Sequence, residues 1–243
     1  MSYRAYRMNY YAVTGLMARV YNYIGDKENA YKYAKEVIDA ADDGAFWFAS
    51  EYDVSAPLKN RDVVMQSELL FALNCSNIQD IYYSIDAKNS STLSLLEVNN
   101  IYGESSDFRH NLIGESTTSG KTISYKYAKI DSEMGGKIPM IRLSEMYLIA
   151  AESYYATDKE VAADFIGTVR LMRGISSDVK SDTYEQLIEE VILEARREFV
   201  GEGQLFYLYK RLNHPVIRNN ANVELTTAQY CLPMPCLLYT SPS

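Results

Sequence analysis

The sequence predicts a mainly helical protein in which tetratricopeptide-like helical hairpins frame a loop-rich insert with a few short strands. Apolar residues recur at three- and four-residue spacing near both ends of the chain, which is the period of an amphipathic helix. One helix–turn–helix pattern appears twice, at an offset of 132 residues. Between the copies the sequence becomes rich in Ser, Asn, Gly and Tyr, which indicates loops.

The first hairpin begins with a predicted helix from Arg7 to Ile24. We expect its buried face to be an apolar stripe at 3-4-3-4 spacing, made of Tyr10, Val13, Met17, Val20 and Ile24. Gly25 can adopt the left-handed conformation that ends a helix, and Asp26 can cap the next one. That second helix is predicted from about Lys27 to Ala40.

The second hairpin repeats the first. Seven residues recur at the offset of 132: Ala18 as Ala150, Tyr23 as Tyr155, Asp26 as Asp158, Lys27 as Lys159, Glu28 as Glu160, Ala30 as Ala162 and Val37 as Val169. Helix is predicted again from Ile138, with Pro139 in the first turn, where proline is tolerated. The two helices of this hairpin are expected from Ile141 to Ala156 and from Glu160 to Met172.

The insert covers residues 45–137. Ile123, Tyr125 and Tyr127 alternate with polar residues, which predicts one short strand. Long loops held on a rigid scaffold often carry binding sites, so this region is the candidate ligand-facing part of the chain.

A further helix follows a capping box, Thr183-x-x-Gln186, and should end at Gly201 and Gly203. Its carboxylates at four-residue spacing are Glu190, Glu194 and Glu198. We expect them to form a solvated face or to pair with Arg196 and Arg197, and not to catalyse. Arg142, Glu145 and Glu152 are expected to form structural ion pairs between helices.

Composition excludes several classes of function. The 243 residues carry a net charge of −8, which disfavours nucleic-acid binding. The two histidines and three cysteines provide neither a zinc knuckle pair nor a Ser-His-Asp arrangement, so no metal or cofactor is expected. No apolar run is long enough for a membrane-spanning helix.

Four segments, in order, resemble the C-terminal part of the SusD/RagB family of outer-membrane nutrient-binding lipoproteins. They are residues 7–30, Asp107-Phe108-Arg109, the stretch from Ile138 to Glu152, and Glu194 to Gly203 with Leu232-Pro233-Met234-Pro235. Together they span residues 7–235.

This resemblance implies a surface-exposed outer-membrane protein that captures an oligosaccharide or a peptide and delivers it to a SusC-like TonB-dependent transporter. It further implies a lipid anchor on an N-terminal part that this chain lacks. We divide the chain into a hairpin at 1–44, the insert at 45–137 and a C-terminal helical region at 138–235. Residues 236–243 are expected to derive from sequencing-adapter DNA and are excluded from the fold.

Aromatic rings in the insert are the candidate ligand contacts, because flat rings stack on sugar faces. The predicted contacts are Tyr82, Tyr83, Tyr102, Phe108, Arg109 and Trp47. Packing into the core is the alternative for each, most of all for Trp47, which lies between Phe46 and Phe48.

The residue pattern leaves two other functions open. A helical-hairpin adaptor would bind only proteins, although it should carry tandem hairpins and no Tyr- and Asn-rich insert. A glycosidase would need two carboxylates facing each other across a cleft.

Overall fold

The computed structural model describes residues 3–81, 101–115, 122–127, 136–218 and 221–231. These residues form a mainly helical fold with short two-stranded sheets, which confirms the predicted class. Among the helices in these ranges, none is long and apolar enough to cross a membrane. The predicted adapter-derived tail lies outside the described residues.

The first hairpin consists of α1 (Tyr10–Ile24) and α2 (Lys27–Asp42). Gly25 has a φ of 84° and ends α1, while the Asp26 side chain accepts a hydrogen bond from the Asn29 backbone at 3.1 Å. The predicted turn is therefore confirmed. A short helix, α3 (Glu51–Ser55), follows after Ser50, whose hydroxyl accepts a hydrogen bond from the Asp53 backbone.

The predicted buried face of α1 is wrong. The buried residues of α1 are small or polar, namely Ala12, Thr14, Gly15, Ala18 and Asn22, whereas Tyr10, Val13, Val20 and Ile24 are exposed. A Cβ at Gly15 would lie 3.1 Å from Ile141 Cγ2, so a small residue is what allows α1 to pack this closely. The apolar period correctly predicted a helix but indicated the wrong side of it.

The second hairpin consists of α4 (Leu143–Tyr154) and α5 (Lys159–Leu171). It packs against the first through α2 and α4, where the Tyr31 and Tyr154 rings stack with centroids 4.3 Å apart. The repeated small and apolar positions are fully buried in both hairpins: Ala18, Ala30 and Val37 in the first, Ala150, Ala162 and Val169 in the second. The positions that repeat in the sequence are therefore buried in the same way in both hairpins.

Residues 137–142 are a strand, so the predicted helix with Pro139 in its first turn is wrong. Strand β1 (Leu69–Asn74) pairs antiparallel with β4 (Lys137–Arg142), and Pro139 lies opposite Ala72. A two-stranded sheet consists only of edge strands, where the missing N–H of proline is tolerated. Between them in the chain, β2 (Ile113–Glu115) pairs with β3 (Thr122–Ser124), which confirms the predicted strand at Ile123, whereas Tyr125 and Tyr127 lie in the turn that follows it.

The helix α6 (Tyr184–Glu198) begins at the predicted capping box, since Thr183 and Gln186 exchange both side chain–backbone hydrogen bonds. The chain divides into two compact units, residues 1–203 and 204–243. The second unit contains α7 (Gln204–Leu212) and a hairpin of β5 (Val216–Arg218) and β6 (Ala221–Val223). The predicted divisions at 44/45 and 137/138 stay predictions.

Candidate functional site

A buried charge cluster joins the insert to the helices. Its members are each at most 3% exposed: Glu68, Asp107, Arg109, Arg142, Arg173, Glu194 and Glu198. Five parts of the chain supply these side chains. Glu68 precedes β1, Asp107 and Arg109 lie at the start of a short turn in the insert, Arg142 ends β4, Arg173 follows α5, and Glu194 and Glu198 lie on α6. Charges so fully buried persist only when they are paired and hydrogen-bonded.

Arg109 is held on three sides within this cluster. Its Nε and Nη2 atoms each donate to Asp107 at 2.8 Å, and its Nη1 atom donates to Glu194 at 2.6 Å and to Glu198 at 2.7 Å. Asp107 also accepts a hydrogen bond from the Arg109 backbone at 3.0 Å, which fixes the short turn Phe108–Leu112. The Asp-x-Arg motif therefore fastens the insert to α6.

Glu198 is the carboxylate at the centre of the cluster. It accepts hydrogen bonds from Arg109 at 2.7 Å, from Arg173 at 2.7 Å and from Arg142 at 3.0 Å. Burial by itself would raise its pKa, but the three guanidinium groups outweigh burial and hold the pKa well below its ordinary value. The pKa of Glu194 is lowered in the same way, because Arg109 and Arg197 outweigh its burial.

Glu68 connects the cluster to the segment that follows α2. One carboxylate oxygen accepts from the Ala49 backbone N–H at 3.0 Å, and the other accepts from Arg173 at 2.9 Å. Burial raises the pKa of Glu68, and the charge of Glu198 raises it further against the opposing effect of Arg173. The backbone at Ala49 is consequently positioned by a buried charge.

The expectation that Glu194 and Glu198 lie on a solvated face is wrong. Glu194 does pair with Arg197 at 3.2 Å, as predicted, but its other partners come from outside the helix. Arg109 lies 85 residues away in sequence from Glu194, and a spacing within one helix cannot reveal such a partner.

Three of the predicted ligand contacts are buried. Tyr102 donates its hydroxyl hydrogen to the Arg197 carbonyl at 2.8 Å, Phe108 packs in an apolar cluster with Val54 and Leu112, and Arg109 belongs to the charge cluster. The structure thus gives these three side chains a packing role in place of the predicted contact with ligand. Tyr82 and Tyr83 lie outside the described residues.

Trp47 is the predicted contact that the structure exposes. Its side chain is 63% exposed, while Phe46 packs on Tyr11 and Phe48 packs on Tyr147. The alternative that Trp47 belongs to the core is therefore wrong, because its two neighbours occupy the inner side. Tyr52, five residues later on α3, belongs to the same group of aromatic residues in the insert and is 85% exposed.

The segment that carries these two rings is anchored at two buried points and by one exposed hydrogen bond. The Ala49 backbone N–H donates a hydrogen bond to Glu68, and Val54 packs against the apolar cluster around Phe108. The Asn111 side chain donates a hydrogen bond to Ser55 Oγ at 2.9 Å. We call Trp47 and Tyr52 the aromatic pair. Their backbone is held by contacts that do not involve the rings, so both rings can face a ligand without a prior change of fold.

A separate groove of about 520 Å³ lies between α5 and residues 175–181, and its wall includes Glu160, Asp164 and Asp178. Within the described ranges, no group of three or more His, Cys, Asp or Glu residues is placed to hold a metal ion. The groove contains none of the predicted contacts.

Comparison with known proteins gives one consistent result. A sequence model of the SusD family matches residues 11–230. A SusD superfamily protein from Bacteroides thetaiotaomicron is 24% identical with a TM-score of 0.66, over 91% of this chain and 53% of that protein. No curated protein matches the sequence.

Two further solved structures have names that mention a ligand. A SusD-like carbohydrate binding protein from Bacteroides vulgatus is 20% identical with a TM-score of 0.68, over 88% of this chain and 48% of that one. Surface glycan-binding protein A from Bacteroides thetaiotaomicron is 16% identical with a TM-score of 0.63, over 94% and 60%. The chain thus spans about half the length of the structures that it resembles.

Proposed function

This chain belongs to the SusD family, and from that membership we propose that it binds an oligosaccharide at a cell surface without cleaving it. The observation that carries the proposal is the aromatic pair, two exposed rings on a segment whose backbone is anchored by buried contacts. The names of two structural neighbours, which mention carbohydrate and glycan binding, are consistent with it.

Stacking is the chemistry that the aromatic pair offers. The C–H faces of a pyranose ring are apolar and flat enough to cover an indole or a phenol ring, while the sugar hydroxyls stay in water. Each stacked ring contributes only about 1 kcal/mol beyond the area it buries. We therefore expect a modest affinity that increases when a ligand offers more than one sugar to the protein.

Binding without cleavage is supported by the state of the helix-borne glutamates. A glycosidase needs two carboxyl groups about 5 to 9.5 Å apart with a sugar between them. Glu194 and Glu198 are enclosed and bonded to arginines, so neither faces a space that a sugar could occupy.

We further propose that the ligand passes to a SusC-like TonB-dependent transporter in the outer membrane. Family membership is the support for this step. Co-purification of a SusC-like transporter with the tagged protein tests it, and a tagged protein that recovers no transporter from solubilised outer membranes would contradict it.

The test of glycan binding is affinity electrophoresis in gels that contain a soluble polysaccharide, repeated over a panel of polysaccharides. We expect the chain to be retarded by at least one of them, and Trp47→Ala or Tyr52→Ala to weaken binding about fivefold, which corresponds to about 1 kcal/mol. Tyr207→Ala is the matched control, because Tyr207 is also an exposed tyrosine, 55% exposed, but lies on α7.

The outcomes separate the alternatives. Retardation that both ring variants retain in full would contradict the role of the aromatic pair. No retardation by any polysaccharide, together with binding of peptides or proteins, would favour a peptide receptor or a helical-hairpin adaptor.

A further inference from the structure

The groove between α5 and residues 175–181 combines an apolar wall with unpaired negative charge. Five small or apolar residues line it: Ala163, Gly167, Leu171, Ile175 and Val179. Leu171, at the end of α5, is 64% exposed. The charged residues of the wall are all acidic, namely Glu160, Asp164 and Asp178. In the part of the chain that the structure describes, none of these three carboxylates forms an ion pair.

Small residues on α5 are what leave the groove open. A Cβ at Gly167 would have no neighbouring atom within 4 Å. At the offset of 132 residues, Ala163 and Gly167 correspond to Tyr31 and Lys35 of α2. The Tyr31 ring stacks on Tyr154 with centroids 4.3 Å apart, whereas its counterpart Ala163 has only a methyl group. The groove therefore has room for side chains that the described residues do not supply.

The opposite side of the groove is a backbone with unused hydrogen-bonding groups. Residues 175–181 run without a helix, a turn or a sharp bend. Within the described ranges, the backbone N–H groups of residues 176–179 donate no hydrogen bond. Unpaired N–H and C=O groups along an extended backbone are the groups with which an extended peptide pairs when it adds as a strand.

This backbone is already anchored. Ile175 is buried, and its N–H donates to the Arg170 carbonyl at 2.9 Å. The Arg170 side chain in turn donates from Nη1 to the Asp178 carbonyl at 3.4 Å, and the Tyr155 hydroxyl donates to the Ser181 carbonyl at 3.4 Å. A peptide therefore meets a preformed groove, which lowers the entropic cost of binding.

We propose that the groove binds an extended peptide segment that pairs with the backbone of residues 176–179 and places lysine or arginine against the carboxylates of the wall. The basic residues nearest in sequence, Lys159 and Lys180, do not line the groove, so the partner supplies the positive charge. The site is independent of the proposed glycan binding, since neither ring of the aromatic pair lines the groove.

The spacing of the carboxylates favours basic side chains at every second position of the peptide. Glu160 and Asp164 lie one helical turn apart, which separates their Cβ atoms by about 5–6 Å. Alternate residues of an extended chain point to the same side and lie about 6.6 Å apart. The methylene groups of lysine or arginine can cover the apolar wall while the charged ends reach the carboxylates.

Fluorescence anisotropy with a dye-labelled peptide of alternating lysine and valine tests this proposal. Asp164→Lys reverses one charge of the wall, and Gly167→Leu fills the groove at a position where a Cβ meets no neighbouring atom. Asp42→Lys is the matched control, because Asp42 is an exposed carboxylate on α2. Circular dichroism checks that each variant keeps its helix content.

Two altered peptides separate the contributions of charge and backbone. One has glutamate in place of lysine, and the other has N-methylated peptide bonds, which cannot donate hydrogen bonds to a neighbouring strand.

We expect the wild type and Asp42→Lys to bind the lysine peptide with affinities within twofold of each other, and Asp164→Lys and Gly167→Leu to bind it at least tenfold more weakly. The glutamate peptide should not bind, and N-methylation should weaken binding at least tenfold. Equal binding by all four proteins would show a general attraction to an acidic chain and would overturn the proposal. So would an absence of binding to the wild type, or an affinity that N-methylation leaves unchanged.

Discussion

Glu198 shows how far a single residue of this protein depends on partners distant in sequence. Its carboxylate accepts hydrogen bonds from Arg109, Arg142 and Arg173, which lie 89, 56 and 25 residues away. The guanidinium of Arg173 also lies 5.1 Å from the centre of the Phe48 ring. One residue of α6 therefore helps to fix the positions of the insert, of β4 and of the segment after α5.

We expect Glu198→Gln to lower the free energy of unfolding by about 3–5 kcal/mol, because it removes the negative charge shared by three buried guanidinium groups. Urea unfolding followed by circular dichroism gives the value. Glu185→Gln on the same helix is the matched control, and its exposed side chain should matter by less than about 1 kcal/mol. Equal effects of the two substitutions would show that the cluster contributes little.

Predictions about single residues are confirmed where a residue and its partner lie close together in the sequence. The predicted caps at Asp26 and Thr183 are both present, because a cap and the backbone groups it bonds lie within three residues. Glu145 and Glu152 do form ion pairs between helices, as predicted. The partners themselves, Arg19 and Lys27, could not be identified from the sequence, because they depend on how two hairpins stack.

At the scale of elements, the apolar period of the sequence predicts helices more reliably than it predicts their buried faces. The apolar stripe of α1 has the helical period, yet α1 packs through small residues, since the close approach at Gly15 leaves no room for large ones. At residues 137–142 the apolar run suits a strand as well as a helix. Pairing with β1, which lies more than 60 residues earlier, decides between them.

The turn of the second hairpin offers an element-scale prediction. The Asp158 side chain accepts hydrogen bonds from the backbone of Glu160 at 2.9 Å and of Val161 at 3.1 Å. We expect Asp158→Ala to lower the free energy of unfolding by about 1 kcal/mol and Asp158→Asn, which keeps the cap, to change it by less. Thermal unfolding of the two variants makes the comparison, and a larger loss for the asparagine variant would contradict the capping role.

At the scale of the whole molecule, the buried charges make stability depend on pH. The pKa values of Glu194 and Glu198 are lowered in the folded protein, so the unfolded chain binds protons at these residues first as the pH falls. Their contribution to stability is complete above the unfolded pKa of about 4.3 and is lost as the pH falls towards the folded values. Glu68, whose pKa is raised, has the opposite dependence and offsets part of this loss.

We therefore expect the urea midpoint to decrease steadily as the pH is lowered below about 4.5. The Glu68→Gln variant should show a steeper decrease than the wild type over this range, because it lacks the opposing group. A midpoint that stays constant or rises between pH 5 and pH 3 would contradict the charge states assigned to the cluster.

The candidate site was predicted only in part from the sequence. Its loop-rich composition identified the insert as the candidate ligand-facing region, and its aromatic residues identified Trp47 as one of the candidate rings. The sequence could not separate Trp47 from Tyr102 and Phe108, because ring exposure depends on contacts such as those of Phe46 with Tyr11 and of Tyr102 with Arg197. The resemblance to a family predicted the class of function from motifs that the structure shows to be largely buried.

Binding of an oligosaccharide that is left intact is the function that we propose for this protein. Its most direct test is isothermal titration calorimetry with the polysaccharide that most retards the chain in gels, followed by an assay for reducing ends on the recovered ligand. We expect saturable binding that Trp47→Ala weakens, with no new reducing ends. Release of reducing ends, or binding that is unaffected by the loss of both Trp47 and Tyr52, would contradict it.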